Sequence, residues 1–120
     1  MTDRELYDRA LAIAERAYAP YSEFFVGAVV LARDGRIFEG VNVENAAYPL
    51  GVCAEKSALT AAVTSGARPG EIEAIAITAS PCGGCRQWLA EFGIDRVIYA
   101  NRGELRTATP TELLPDTFEL

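Results

Sequence analysis

An α/β fold, with a mixed five-stranded sheet between layers of helix, is the architecture this sequence predicts. Three observations carry that expectation. β-Branched and small apolar runs of strand length alternate with stretches of helical periodicity. A hairpin signal, Asp34-Gly35, joins the first two runs. After that hairpin, strand and helix alternate along the chain, the pattern of a sheet covered by helices on both faces. At 120 residues the chain is expected to form one domain, residues 1–120, with room for a single core and not for two.

Residues 4–18 place Leu6, Ala10, Ile13, Ala14 and Ala17 on one helical face, and Ala19-Pro20-Tyr21-Ser22 ends that helix. Residues 25–32 are β-branched and small apolar, a strand that turns at Asp34-Gly35 and returns over residues 36–43. Glu44–Gly51 is a polar loop containing a proline, followed by a helix from about Cys53 to Ser65 that Gly66 stops. Residues 73–79 form a short buried strand. The next helix covers about Gly83–Phe92, with Trp88, Leu89 and Phe92 as its buried face, and ends at Gly93. A strand over residues 95–100, a weak fifth near Leu105–Thr109 and one helical turn in the tail Pro110–Leu120 complete the chain.

Composition narrows the function classes. Half the residues are hydrophobic and 23% are charged, which fits a folded globular chain. The formal charge is −6, from 17 acidic against 11 basic residues, without the Lys/Arg cluster that nucleic-acid binding draws on. A small, weakly charged substrate is the expected partner. No apolar run approaches the roughly 20 residues of a membrane span, and the acidic, amphipathic start Met1-Thr2-Asp3-Arg4-Glu5 is unlike a signal peptide, so a cytoplasmic location is expected.

The chemistry concentrates in two short motifs. Cys53-Ala54-Glu55 and Pro81-Cys82-Gly83-Gly84-Cys85 use all three cysteines, and the chain has no histidine. Cys82-x-x-Cys85 taken alone suits a redox pair as well as a metal; Cys53 and Glu55 shift the balance to metal. Three sulfurs without a fourth soft ligand describe a zinc site with one position left open, the catalytic pattern and not the structural one. Both motifs fall at predicted helix starts. Residues two apart on a helix point about 200° apart, so Cys53 and Glu55 serve one metal only if it lies off the helix end, where the dipole favours thiolates. Cys82 and Cys85, three apart, share the first turn of their own helix. Zn²⁺ with three thiolates is formally negative, and a nearby cation, Lys56, is the group placed to offset that charge.

Over essentially its full length the chain resembles the cytidine deaminase family, of the small three-cysteine type. The matching stretches are Ala19-Pro20-Tyr21-Ser22 with Phe24 and Val26-Gly27-Ala28; Asn42-Val43-Glu44-Asn45-Ala46-Ala47-Tyr48; Cys53-Ala54-Glu55; Ser80-Pro81-Cys82-Gly83-Gly84-Cys85-Arg86-Gln87; and Leu113-Leu114-Pro115 with Phe118. The resemblance implies a three-layer α/β/α fold and one zinc ion per chain on Cys53, Cys82 and Cys85. It implies that Glu55 shuttles protons, protonating N3 of cytosine and then the departing amine. Asn42 and Glu44 would bind the ribose hydroxyls, Phe24 would pack on the nucleoside, the Ala54 N–H would meet the base carbonyl and the Ser80 carbonyl the leaving ammonia. It further implies a homotetramer in which Ala46, Tyr48 and Phe118 reach neighbouring sites.

Two positions depart from the family pattern. Lys56 stands where arginine is usual, giving a point charge without the planar fork. The segment from Ile75 to Pro81 is several residues shorter than usual. The expected reaction is deamination of cytidine and deoxycytidine in pyrimidine salvage. The competing readings are a deaminase of a modified cytosine nucleoside or blasticidin-type antibiotic, and a non-catalytic zinc-stabilised domain.

Overall fold

The computed structural model describes residues 1–120. The first helix, α1 (Asp3–Ala14), opens on a reciprocal cap that the periodicity did not reveal. Glu5 N–H donates to the Thr2 hydroxyl at 3.1 Å, and Thr2 N–H donates to the Glu5 carboxylate at 2.9 Å. The helix is shorter than the expected 4–18. The N–H groups of Arg16 and Ala17 fall back to the carbonyls of Ile13 and Ala14, which tightens the last turn. Tyr18 then leaves the helix to pair across the chain: its N–H donates to the Asn42 carbonyl at 3.1 Å and its carbonyl accepts from Glu44 N–H at 2.8 Å. Long-range backbone pairing thus overrides the helical pattern of residues 15–18.

Strand β1 (Gly27–Ala32) turns through Asp34-Gly35 into β2 (Ile37–Val41). Gly35 has φ +92°, and the Asp34 carboxylate accepts the Arg36 N–H at 3.1 Å. Helix α2 (Ala54–Thr64), β3 (Ile72–Ile77), α3 (Gly83–Phe92), β4 (Arg96–Asn101), β5 (Glu104–Ala108) and the single turn α4 (Pro110–Leu113) follow. The expected strand start at residue 25 moves to Gly27, because the Val26 N–H is taken by the Asn42 side chain at 2.8 Å. Phe24 and Phe25 are left outside the sheet.

The sheet order is β2-β1-β3-β4-β5, with β3 and β4 parallel and the other pairs antiparallel. Alternation along β3 sorts the two faces, as a period of two requires. Ala74 and Ala76 meet Leu6 and Ala10 of α1, together with Val29 and Ile98. Ile75 and Ile77 join the larger core with Ala58, Leu59 and Ala62 of α2 and Leu89 and Phe92 of α3. The result is the three-layer α/β/α arrangement. No helix is long and apolar enough to cross a membrane.

Two glycines set the layer spacing. A Cβ on Gly27 would lie 2.1 Å from the Ala10 carbonyl oxygen, and one on Gly40 would lie 2.2 Å from the Ala58 nitrogen. The second contact seats α2 directly on β2, and so fixes where Cys53, Ala54 and Glu55 come to lie. Thr78–Cys82 alone joins β3 to α3, bringing Cys82 to the carboxyl end of β3, where open α/β sheets bind their ligands.

Candidate active site and metal centre

Cys53 is the N-cap of α2 and Cys82 the N-cap of α3, each in extended backbone conformation and neither using its side chain to cap. Their sulfurs are therefore free for a ligand, and Cys85 adds a third from the first turn of α3. The three Sγ atoms lie within 4.8 Å of one another. Three sulfurs at about 2.3 Å from a tetrahedral zinc stand about 3.8 Å apart, so a small closure of the triad accommodates the ion. All three cysteines are free thiols. Two helix starts converge on them, each directing the positive end of its dipole at the sulfurs.

Charge is concentrated on one sulfur. Hydrogen bonding from Cys85 leads in stabilising the Cys53 thiolate; burial opposes it, Cys82 adds a second hydrogen bond and Lys56 a smaller coulombic pull, and the sum brings Cys53 down to about 6. Cys85, fully buried, is held up by the same hydrogen bond, by burial and by the nearby Glu55 carboxylate. Glu55 is 4% exposed, the one buried acidic or basic side chain. Burial pushes its carboxyl above the ordinary range, its own backbone N–H opposes this and the Cys53 charge adds to it.

A cavity of about 190 Å³ opens over this corner. Phe24, Asn42, Cys53, Ala54, Glu55, Ser80 and Cys82 line it, together with Val26 and Ala79, two residues to which the sequence assigned no role. Cys85 lies behind the wall. A larger hollow of about 560 Å³ runs between α2 and α3, lined by Thr60, Val63, Thr64, Gln87, Trp88, Glu91 and Phe92. It contains none of the triad, and size alone would have misplaced the site.

Asn42 and Glu44 both hold the chain segments before β1. The Asn42 amide accepts from Val26 N–H and donates to the Phe24 carbonyl, both at 2.8 Å, latching the segment that carries Phe24. One N–H and one lone pair remain for the cavity. Glu44 does not line the cavity. Its Oε1 accepts from the N–H groups of Tyr21 at 2.9 Å and Ser22 at 3.1 Å, and its Oε2 accepts from the Ser22 hydroxyl. Ala46, Tyr48 and Phe118 are exposed and stand away from the cavity of their own chain. Lys56 also stands outside the lining, its Nζ 5.7 Å from the centroid of the Trp88 ring.

Two anchors just past the second motif were given no role in the sequence. Arg86 donates from Nε to the Pro81 carbonyl at 2.9 Å, from Nη1 to the Leu113 carbonyl at 2.9 Å and from Nη2 to the Ser80 hydroxyl at 3.3 Å, fixing the β3–α3 turn against the tail. The Gln87 amide pairs with the backbone of Phe118 in both directions. Their place at the end of the family-like stretch Ser80–Gln87 is the signal that pointed to them.

A buried carboxylate beside three convergent sulfurs at the carboxyl end of a mixed sheet defines a zinc-dependent hydrolytic enzyme. The comparisons make the class specific. Residues 1–101 match the cytidine and deoxycytidylate deaminase zinc-binding region. A cytidine deaminase of Sporosarcina psychrophila is 45% identical over 87% of this chain and 82% of its own length. One from Halalkalibacterium halodurans is 42% identical over 97% and 94%. The crystal structure of the Burkholderia pseudomallei cytidine deaminase superposes with a TM-score of 0.91 at 44% identity, covering 98% of this chain and all of that one. The chain belongs to the cytidine deaminase family.

Proposed function

We propose that the chain catalyses the hydrolytic deamination of cytidine and deoxycytidine to uridine and deoxyuridine, releasing ammonia. The single observation that carries this is the meeting of three sulfurs within 4.8 Å and a carboxylate only 4% exposed at one cavity wall. Cys53, Cys82 and Cys85 hold the zinc, which when bound supplies an acidified water as the nucleophile. Glu55 carries the protons. Its raised carboxyl pKa suits a group that must both take up and give up a proton, first to N3 of the pyrimidine and then to the departing 4-amino nitrogen. Ala54 offers a first-turn N–H without a helical partner to the base carbonyl, and the Ser80 carbonyl accepts from the leaving amine.

The sugar is read at the rim. Asn42 has an N–H and a lone pair to spare, Glu44 keeps a lone pair on Oε2, and a diol suits both. Phe24 packs on the nucleoside. A cavity of about 190 Å³ is small beside the roughly 300–1,000 Å³ of complete ligand sites. That supports a homotetramer in which Ala46, Tyr48 and Phe118 of neighbouring copies complete each site. The 120 residues act as one domain, in the reducing cytoplasm that keeps three thiols available to zinc, and serve pyrimidine salvage. The antibiotic reading is not favoured, since relatives along nearly the whole chain are cytidine deaminases.

An ammonia-release assay across cytidine, deoxycytidine, cytosine, 5-substituted cytidines and blasticidin S tests the reading. Turnover is expected with the two nucleosides and not with free cytosine. Turnover of blasticidin S without turnover of cytidine would reverse the conclusion.

A further inference from the structure

The chain has one lysine and one tryptophan, and they meet. The Lys56 ammonium lies 5.7 Å from the centroid of the Trp88 ring, within the range of a cation–π contact. All seven ion pairs in the molecule are made by arginine, so Lys56 is committed to the ring and not to a carboxylate. The ring is itself fixed. It stacks on Phe92 at 6.4 Å with 17° between planes, and it packs against the larger core.

The placement of the pair along the two helices is what gives it a consequence. Lys56 follows Cys53 by three positions on α2, and Trp88 follows Cys85 by three positions on α3. Residues three apart share a helix face. Each helix therefore carries a sulfur at its start and one partner of the pair a turn further on. Beyond that point the helices part across the hollow of about 560 Å³, so little direct packing holds them together there. Zinc needs one ligand from α2 and two from α3. Coulombic attraction from Lys56 reaches both Cys53 and Glu55.

We propose that Trp88 is a positioning residue for the metal centre: its ring holds the Lys56 ammonium between the starts of α2 and α3, clasping the two helices and keeping a positive charge beside the three-sulfur site. The proposal rests on the zinc reading above and adds to it the residue that orients the charge.

The test is zinc affinity, measured by competition with a chelator, in the wild-type protein and in Trp88→Leu, Trp88→Phe, Lys56→Met and the Lys56→Met/Trp88→Leu double variant. Trp88→Leu and Lys56→Met are each expected to weaken zinc binding about two- to fivefold, the size of an exposed cation–π contact. The double variant is expected to be no weaker than the weaker single one, and Trp88→Phe, which keeps a π face, to lose less than Trp88→Leu. With cobalt(II) in place of zinc, the sulfur-to-metal charge-transfer band should shift in the same direction in Trp88→Leu and Lys56→Met. Equal losses for leucine and phenylalanine, or losses that add in the double variant, would overturn the clasp. Should Trp88→Leu fail to fold, Trp88→Phe decides: its loss must vanish in the Lys56→Met background, and a loss that persists there sinks the proposal. A wild-type protein that binds no zinc would instead overturn the metal reading itself.

Discussion

The metal corner and the rim above it are built on opposite principles. At the corner, Ala54 and Cys85 are fully buried, Glu55 nearly so, and α2 sits against β2 at a distance only glycine permits at position 40. At the rim, Tyr18, Tyr21, Phe24 and Phe25 are all at least half exposed. The Asn42 and Glu44 side chains hold the backbone there at Tyr21, Ser22, Phe24 and Val26. A region fixed by packing keeps its geometry whatever binds. A region of exposed apolar groups held by a few hydrogen bonds is where substrate or another chain supplies the missing contacts. On the proposed function, chemistry falls to the packed corner and recognition to the exposed rim.

The strongest break in that contrast comes from the corner. Cys85→Ala removes the only buried ligand, and metal analysis should find zinc lost together with all activity. Glu55→Gln keeps the three sulfurs, so zinc content should stay at the wild-type level while kcat falls by about 10²–10⁴-fold or more. Near-normal turnover in Glu55→Gln would place the proton shuttle elsewhere. Loss of zinc in that variant would show that the carboxylate supports the triad and does not merely act beside it.

The same contrast explains what was legible in the sequence. The corner could be read because few residue types hold zinc or carry a proton, and three cysteines in a chain without histidine leave little freedom. The layers could be read from the alternation of strand and helix, and the Asp34-Gly35 turn from its residue types. The backbone latches made by Asn42, Glu44 and Arg86 could not, since each bonds to backbone 16 to 27 positions away in at least one contact. The end of α1 failed for the same reason: Tyr18 pairs with Asn42 and Glu44, and helical periodicity carries no trace of that. Lys56 and Trp88 are recognisable as a pair only once α2 and α3 are set side by side.

A rim variant should be smaller in effect and different in kind. Asn42→Ala removes two hydrogen bonds at once, leaving Val26 N–H and the Phe24 carbonyl without their partner. An orphaned group of this sort costs about 1–3 kcal/mol when buried, and the part-buried Val26 contact falls toward the lower end. The expected outcome is a rise in KM and a fall of about tenfold in kcat/KM, with zinc content unchanged. Metal loss in Asn42→Ala would mean that the rim latch also shapes the corner, and the division between the two regions would fail.

The gentlest test titrates the rim alone. The Ser22 hydroxyl leads in holding the Glu44 carboxyl below its ordinary value of 4.5, and the N–H groups of Ser22 and Tyr21 add to it. A depressed carboxyl contributes order that is fully present above its ordinary value and is lost as pH falls through the depressed one. The Tyr21 and Ser22 amides should therefore keep their NMR positions from neutral pH down to about 4.5, and move only below it. The Ser57 amide, bonded to the Cys53 carbonyl at the corner, should not follow the same curve. Glu44→Gln should abolish the titration of both rim amides and leave Ser57 where it was. A Tyr21 shift centred at or above 4.5 in the wild-type protein, or one that survives in Glu44→Gln, would mean that a different group latches the rim.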